Sequence, residues 1–216
     1  LVFVQTGQTF SRQMLTASSD SITSVLGNIG YARAEVNAVP EIDRDKNTAA
    51  FTFFVDPGRR VYVRKVNVSG NVKTRDEVIR REVRQLEGAW YDGPRIERSK
   101  VRIRRLGYFE PDINIETPPV PGAPDQVDIE ISVTEKSTGN LLAGVGYSSA
   151  DGLVFNASVS QQNVLGSGNA LSLAINTSSY NTLYSLVFVE PYWTVDGVSR
   201  TIELYYRRTD PSGQAI

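Results

Sequence analysis

Hydrophobic and polar positions change period several times along the chain, and each change predicts an element. In RRVYVRKVNVSGN (59–71), Val61, Val63, Val66 and Val68 alternate against charge with one slip in register, predicting a strand that ends at a Gly-Asn turn. Thr74 stands three residues before Glu77, the spacing of a capping box, and opens KTRDEVIRREVRQLEG. Val78, Ile79, Val83 and Leu86 keep one face of that predicted helix apolar, and Gly88 stops it. Gly93-Pro94 starts a second helix carrying Ile96, Ile103 and Leu106, stopped by Gly107. Two strands follow at 111–117 and 126–134. The order is β-α-α-β-β, an α+β sandwich with both helices on one face.

The same order occurs, incompletely, upstream. NIGYARAEVNAVP (28–40) precedes TAAFTFFVDPG (48–58) much as RLGYFEPDINIETPP (105–119) precedes DQVDIEISVTEKSTG (125–139). Gly30-Tyr31 and Gly107-Tyr108 stand 77 residues apart. Two tandem modules explain this. The first lacks its opening strand and most of its first helix, so the chain is expected to be a piece of something larger.

The last third has another pattern. Segments 141–149, 153–162, 169–178, 182–190 and 198–208 are each 9–11 residues long and alternate with period two. Leu171, Leu173 and Ile175 alternate with Ser172, Ala174 and Asn176. A ten-residue strand spans about 33 Å, and tilted it crosses about 25 Å, the height of a barrel's lipid-facing band. Alternation alone fits a soluble β-sandwich as well.

Charge separates the two alternatives. The first 139 residues carry 39 charged side chains and the last 77 only 8, none of them lysine. The surface chemistry changes where the period-two segments begin, which favours a change of solvent from water to lipid. Tyr192 and Trp193 then fit an interfacial aromatic girdle. No apolar run is long enough for a transmembrane helix. Cysteine and histidine are both absent, which removes disulfides and every scheme that needs either residue. Glu41, Asp43 and Asp45 read as turn chemistry between strands, and GSGN (166–169) is too short for a phosphate loop. No catalytic residue, metal site or cofactor is expected. From Arg59 to Arg105 there are 15 basic and 6 acidic residues, but aromatic interleaving is poor and no nucleic-acid partner is expected.

VNVSGN, REVRQLEGAW, RLGYFE and PGAPDQVDIEISVTE resemble the POTRA domains of the BamA-type outer-membrane barrel-assembly family. GNLLAGVGYSSADGLVFNASVSQQNVLGSGNALSL resembles the start of that family's barrel. The resemblance covers essentially the whole chain. It implies α+β POTRA modules followed by antiparallel strands of a truncated transmembrane β-barrel. Residues 1–58 would be the C-terminal part of a penultimate POTRA domain and 59–136 a complete membrane-proximal one. Residues 137–216 would be the first five or so barrel strands. The implied location is the Gram-negative outer membrane, with POTRA domains in the periplasm.

The implied function is assembly: the POTRA arm captures unfolded outer-membrane proteins by β-augmentation and passes them to the barrel seam, without enzymatic turnover. A two-partner secretion-type protein-conducting pore is the alternative. Implied partners are unfolded outer-membrane protein clients, accessory lipoproteins and the lipid bilayer. By resemblance, Arg84 and Glu87, three apart on one predicted helical face, would dock an accessory lipoprotein. An exposed edge at Asp112, Ile113, Asn114, Ile115 and Glu116, matched by 34–39 upstream, would take client strands, or would be ordinary edge strand. Leu141, Leu142, Ala143, Gly144, Val145, Gly146 and Tyr147 would form the lateral seam. Gly144 and Gly146 either weaken that strand or relieve crowding in a twisted barrel.

Overall fold

The computed structural model describes residues 1–149 and 152–210, so the SADG connection lies partly outside the described residues. Contacts divide the chain into two compact units. One comprises Leu1–Ser69, Arg81–Arg105 and Ile113–Ser132; the other comprises Gly70–Arg80, Leu106–Asp112 and the chain from Val133.

In the first unit, helix α1 (Arg12–Gly27) is followed by a hairpin of β1 (Glu35–Asp43) and β2 (Thr48–Asp56). Glu41 lies within β1, while the Asp43 carboxylate accepts the Asp45 and Lys46 N–H groups and closes the turn. Buried Ser18 ties the N-terminal segment to α1, accepting from Phe3 N–H at 2.9 Å and donating to the Met14 carbonyl at 2.7 Å. A second sheet contains β3 (Tyr62–Ser69), β4 (Asn114–Glu116), β5 (Pro119–Val120) and β6 (Ala123–Ser132) in the order β3-β6-β4, with β5 also on β6. The predicted slip in β3 is a register shift between Val63 and Val66. Val61, Val63, Val66, Val127, Ile129 and Ile131 are buried, as is Ile103 of helix α3 (Gly93–Arg105). Gly107, at φ +74°, follows α3 in the left-handed conformation that favours glycine.

Four expectations change. The helix from Thr74 shrinks to α2 (Asp76–Arg80) in the second unit. The capping box is replaced: the Thr74 hydroxyl accepts from Asn163 at 2.8 Å instead of closing the helix end. Residues after Arg80 lie instead along the edge of β3. Val63 N–H donates to the Ala89 carbonyl, Gly88 N–H to the Val63 carbonyl, and Tyr91 N–H to the Val61 carbonyl, all at 2.7–3.0 Å. Buried Gln85 braces this segment, donating to the Trp90 carbonyl and accepting from Asp92 N–H. Long-range hydrogen bonds thus override helix propensity.

Arg84 and Glu87 therefore do not share a helical face. Arg84 N–H donates to Ser99 Oγ at 2.8 Å, and Glu87 Oε1 accepts from Val66 N–H at 2.8 Å, beside the register shift. Finally, the strand expected at 111–117 contracts to Asn114–Glu116, because Pro111, Pro118 and Pro119 cannot donate to a ladder.

The second unit carries one antiparallel sheet: β7 (Gly139–Ser148), β8 (Gly152–Gln161), β9 (Ala170–Thr177), β10 (Asn181–Glu190) and β11 (Arg200–Thr209), neighbours in chain order. All five period-two segments are strands.

Glu87→Ala should leave the Val66 N–H without its acceptor and destabilise the first unit by about 1–3 kcal/mol. Arg84→Ala should stay within about 0.5 kcal/mol of the parent. Urea unfolding followed by Trp90 fluorescence, with Trp193 replaced by Phe, separates the two outcomes.

Candidate functional site: open strand edges, an apolar wall and a loop clamp

Antiparallel register stacks like with like across β7–β11. Leu141, Val159, Leu173, Leu186 and Leu204 lie opposite one another in a single row across the five strands. The next row on that face is Ala143, Ala157, Ile175, Tyr184 and Tyr206. Between them on the opposite face run Leu142, Ser158, Ala174, Ser185 and Tyr205, then Gly144, Asn156, Asn176, Leu183 and Arg207. Across these rows one face is apolar and the other mixed; the next row on the apolar side, Val145, Phe155, Thr177, Thr182 and Arg208, turns polar toward β11. The apolar side chains are not covered: Leu141 is 75% exposed, Leu204 64% and Val145 69%. An exposed apolar surface of this extent marks an interaction face.

β7 ends the sheet, with β8 on one side and no strand on the other among the described residues. Leu141 through Tyr147 are exposed along it. A Cβ at Gly144 or Gly146 would meet nothing within 4 Å, so crowding within the described sheet does not call for glycine there. In the first unit β4 is likewise an outer strand, paired only with β6, while the other outer strand, β3, is covered by residues 88–91. Ile113 is fully buried and unavailable to a partner. Asn114 and Glu116 are exposed and hydrogen-bonded to each other at 2.8 Å. Asp112, in the second unit, and Ile115 complete the predicted edge; Ile115 pairs with Ile131. β1, the upstream counterpart, also pairs on one side only.

Tyr192 and Trp193 lie in the loop after β10. The Arg200 guanidinium sits 3.3 Å from the centre of the Trp193 ring and 2.8 Å from Glu190, which fixes the indole while leaving it half exposed. Arg84 lines a groove of about 640 Å³ in the first unit together with Arg95, Arg98, Arg102 and Arg105 of α3; Glu87 is not part of it.

Sequence reasoning missed a cluster in the second unit. Asn163, largely buried, donates to the Thr74 hydroxyl and accepts from Gly168 N–H, both at 2.8 Å. Arg75 N–H donates to the Gly166 carbonyl, and the Tyr108 hydroxyl to the Gly168 carbonyl. Gly166 has φ +72°, and a Cβ there would overlap the Lys73 carbonyl, so only glycine fits. On the far side of Thr74, Glu135 accepts the Lys73 and Thr74 N–H groups. Burial pushes the Glu135 carboxyl up, but hydrogen bonds from Thr74 and Lys73 outweigh it and hold the group below its ordinary value. The β8–β9 loop is thereby clamped to Gly70–Arg80 and Leu106–Asp112. The visible signal was NVLGSGN itself, an asparagine followed by two closely spaced glycines.

A family profile described as surface antigen variable number repeat (POTRA) matches residues 1–58 and 61–136, and one for the Omp85 superfamily domain matches 163–215. The chain belongs to the POTRA-bearing BamA family. It is 40% identical over 211 residues to the outer membrane protein assembly factor BamA of Neisseria meningitidis serogroup B, covering 98% of this chain and 26% of that protein. The chain thus spans about a quarter of the length of that curated relative. The crystal structure of BamA from Haemophilus ducreyi lacking POTRA domains 1–3 matches with TM-score 0.85 and 38% identity, covering 97% of this chain and 39% of that one. CdiB from Acinetobacter baumannii shares the fold at TM-score 0.51 and 12% identity, covering 94% of this chain and 38% of that one.

Gly166→Ala should break the clamp, since the conformation and the overlap both oppose it, at a cost of at least about 1–3 kcal/mol. It is checked by thermal melting of the full-length parent protein in detergent. For Glu135 the sign follows from the depressed pKa: the stabilisation is present above the unfolded value, ordinarily 4.5, and is lost as pH falls through the folded value. Glu135→Gln should therefore melt lower than the parent at neutral pH, with the gap closing in acid. A gap that is constant across pH would show that the carboxylate charge is irrelevant.

Proposed function

We propose that this chain is part of an outer-membrane protein assembly factor. In it, residues 1–58 and 59–136 form POTRA modules in the periplasm, and residues 137–216 form the first five or so strands of a lipid-embedded barrel wall. The observation that carries this is the in-register separation of an exposed apolar face from a polar one across β7–β11. In water such a face would be driven to cover itself; in a bilayer it is matched by its solvent.

The edge of β7 is the seam. Its unpaired N–H and C=O groups offer main-chain hydrogen bonds to an incoming strand, which bind extended clients without demanding one sequence. Gly144 and Gly146 lower the packing that holds this strand to a neighbour, which suits pairing that must open and close. The edges of β1 and β4 offer the same chemistry on the POTRA side, β4 over a much shorter length. Accessory lipoproteins would dock on the first unit. Arg84, in the arginine-lined groove, is the better of the two residues expected there, because Glu87 is occupied by the β3 backbone. Pairing and transfer of this kind need binding energy but no catalytic group. Identity of 40% to an assembly factor supports assembly over secretion; the likeness to CdiB extends to the fold only.

The decisive experiment uses single cysteines in the full-length parent protein in membranes. Positions 171, 173 and 175 should be quenched by a lipid-confined quencher, and 172, 174 and 176 should not. Equal aqueous access at all six would overturn the wall. Leu173→Arg should cost about 2–4 kcal/mol if that position lies at mid-bilayer, and Ala174→Arg less. A photo-crosslinker at Val145 should capture client strands; capture only at Ile115 would move the client site to the POTRA edge.

A further inference from the structure

The loop between β8 and β9 holds a bulky side chain outward in a backbone conformation that disfavours it. Leu165 has φ +51° and ψ +29°, a left-handed geometry rarely adopted by branched L-residues, and it is 89% exposed. Packing does not explain it, because so exposed a side chain adds little to the loop's own interior. The loop does not choose this geometry freely either: Asn163, Gly166 and Gly168 on both sides are fixed by the clamp. Strain held in place by a rigid frame, with the strained side chain pointed outward, is characteristic of a binding element.

Leu165 has company in the same unit. Val72, next to the Lys73 carbonyl that abuts Gly166, is 90% exposed. Antiparallel connections alternate ends, so the β10–β11 loop lies at the same end of the sheet as the β8–β9 loop. That loop exposes Val195 completely, Val198 by 57% and Trp193 by 52%. Scattered apolar residues on a surface mean little. These share one end of the wall, just beyond the row Gln161, Leu171, Phe188 and Ile202, in which all but Gln161 are apolar.

We propose that Leu165, with Val72 and Val195, anchors this end of the sheet in the boundary between lipid headgroups and acyl chains. The proposal rests on the wall facing lipid. Two observations select lipid over a protein partner. The apolar loop tips continue an apolar wall that ends at an aromatic residue braced by a cation, the arrangement that suits the membrane interface. Residues 163–169 carry no charge, so nothing in that loop marks a charged partner, and the charged neighbours of the other two anchors, Lys73 and Asp196, suit the headgroup side of the boundary.

The test uses the full-length parent protein in vesicles of phosphatidylethanolamine and phosphatidylglycerol. Single cysteines at 165, 195 and 173 carry an environment-sensitive fluorophore, and lipids carry nitroxides near the headgroup or deep in the chain. Labels at 165 and 195 should lose more fluorescence to the shallow nitroxide, and the label at 173 more to the deep one. Quenching at 173 with none at 165 overturns the anchor and leaves the wall standing. No quenching at 173 overturns the wall and the anchor together. A blue-shifted but unquenched label at 165 would mean that protein covers it, which also overturns the anchor. Leu165→Asn, a residue tolerant of left-handed backbone, should melt at or above the parent's temperature in detergent. A fall of several degrees would make Leu165 a packing residue and defeat the proposal.

Discussion

Everything in the second unit depends on the antiparallel hydrogen-bond ladder of β7–β11. Where backbone groups cannot turn to water, each N–H and C=O must find a partner in a neighbouring strand. The ladder meets that demand and, in doing so, fixes the register. With side chains alternating strictly, a one-residue slip would carry every apolar row to the other face. Leu173 therefore meets Val159 and Leu186 and not Ser160 or Val187, and the apolar face stays whole. The same ladder leaves the end strands half paired. Among the described residues, β7 and β11 each keep one unpaired edge, the remainder of a sheet that satisfies the strands between them.

The first unit handles its edges differently. There the chain after Arg80 abandons its helical pattern and runs beside β3, so that Val63 donates to the Ala89 carbonyl and accepts from Gly88 N–H, the bonds an outside strand would otherwise take. Glu87 joins in by accepting from Val66 N–H where the strand bulges. In that four-stranded sheet, among the described residues, β4 remains open, shortened to three residues by the prolines that flank it. Pairing capacity is thus restricted on one sheet and extended along ten residues on the other.

The clamp around Asn163 explains why an apparently modular sequence does not divide at its module boundary. Thr74 and Tyr108 belong by pattern to the second module, yet both give hydrogen bonds to the β8–β9 loop or receive them from it. Glu135 holds the other side of Thr74 with a charge-assisted bond, the stronger kind. Gly166 admits the close approach that lets this happen.

Elements governed by local periodicity were legible: α3, the slip in β3 and all five strands of the wall follow from spacing, because the period of a side-chain pattern is set by the backbone that carries it. The loss of lysine and the onset of alternation coincide in the chain, and the five-stranded sheet begins at the same place. What the sequence could not specify was anything decided by partners distant along it. RREVRQLEG reads as helix because its local preferences are helical, and the bonds to β3 and Ser99 turn it aside. Thr74 has the spacing of a cap, but a partner 89 residues away claims its hydroxyl. The sequence by itself determined the periods and the family; tertiary structure decided which edges stay open and which residues the β8–β9 loop is tied to. Periodicity is a local property, whereas a hydrogen-bond partner is chosen in space.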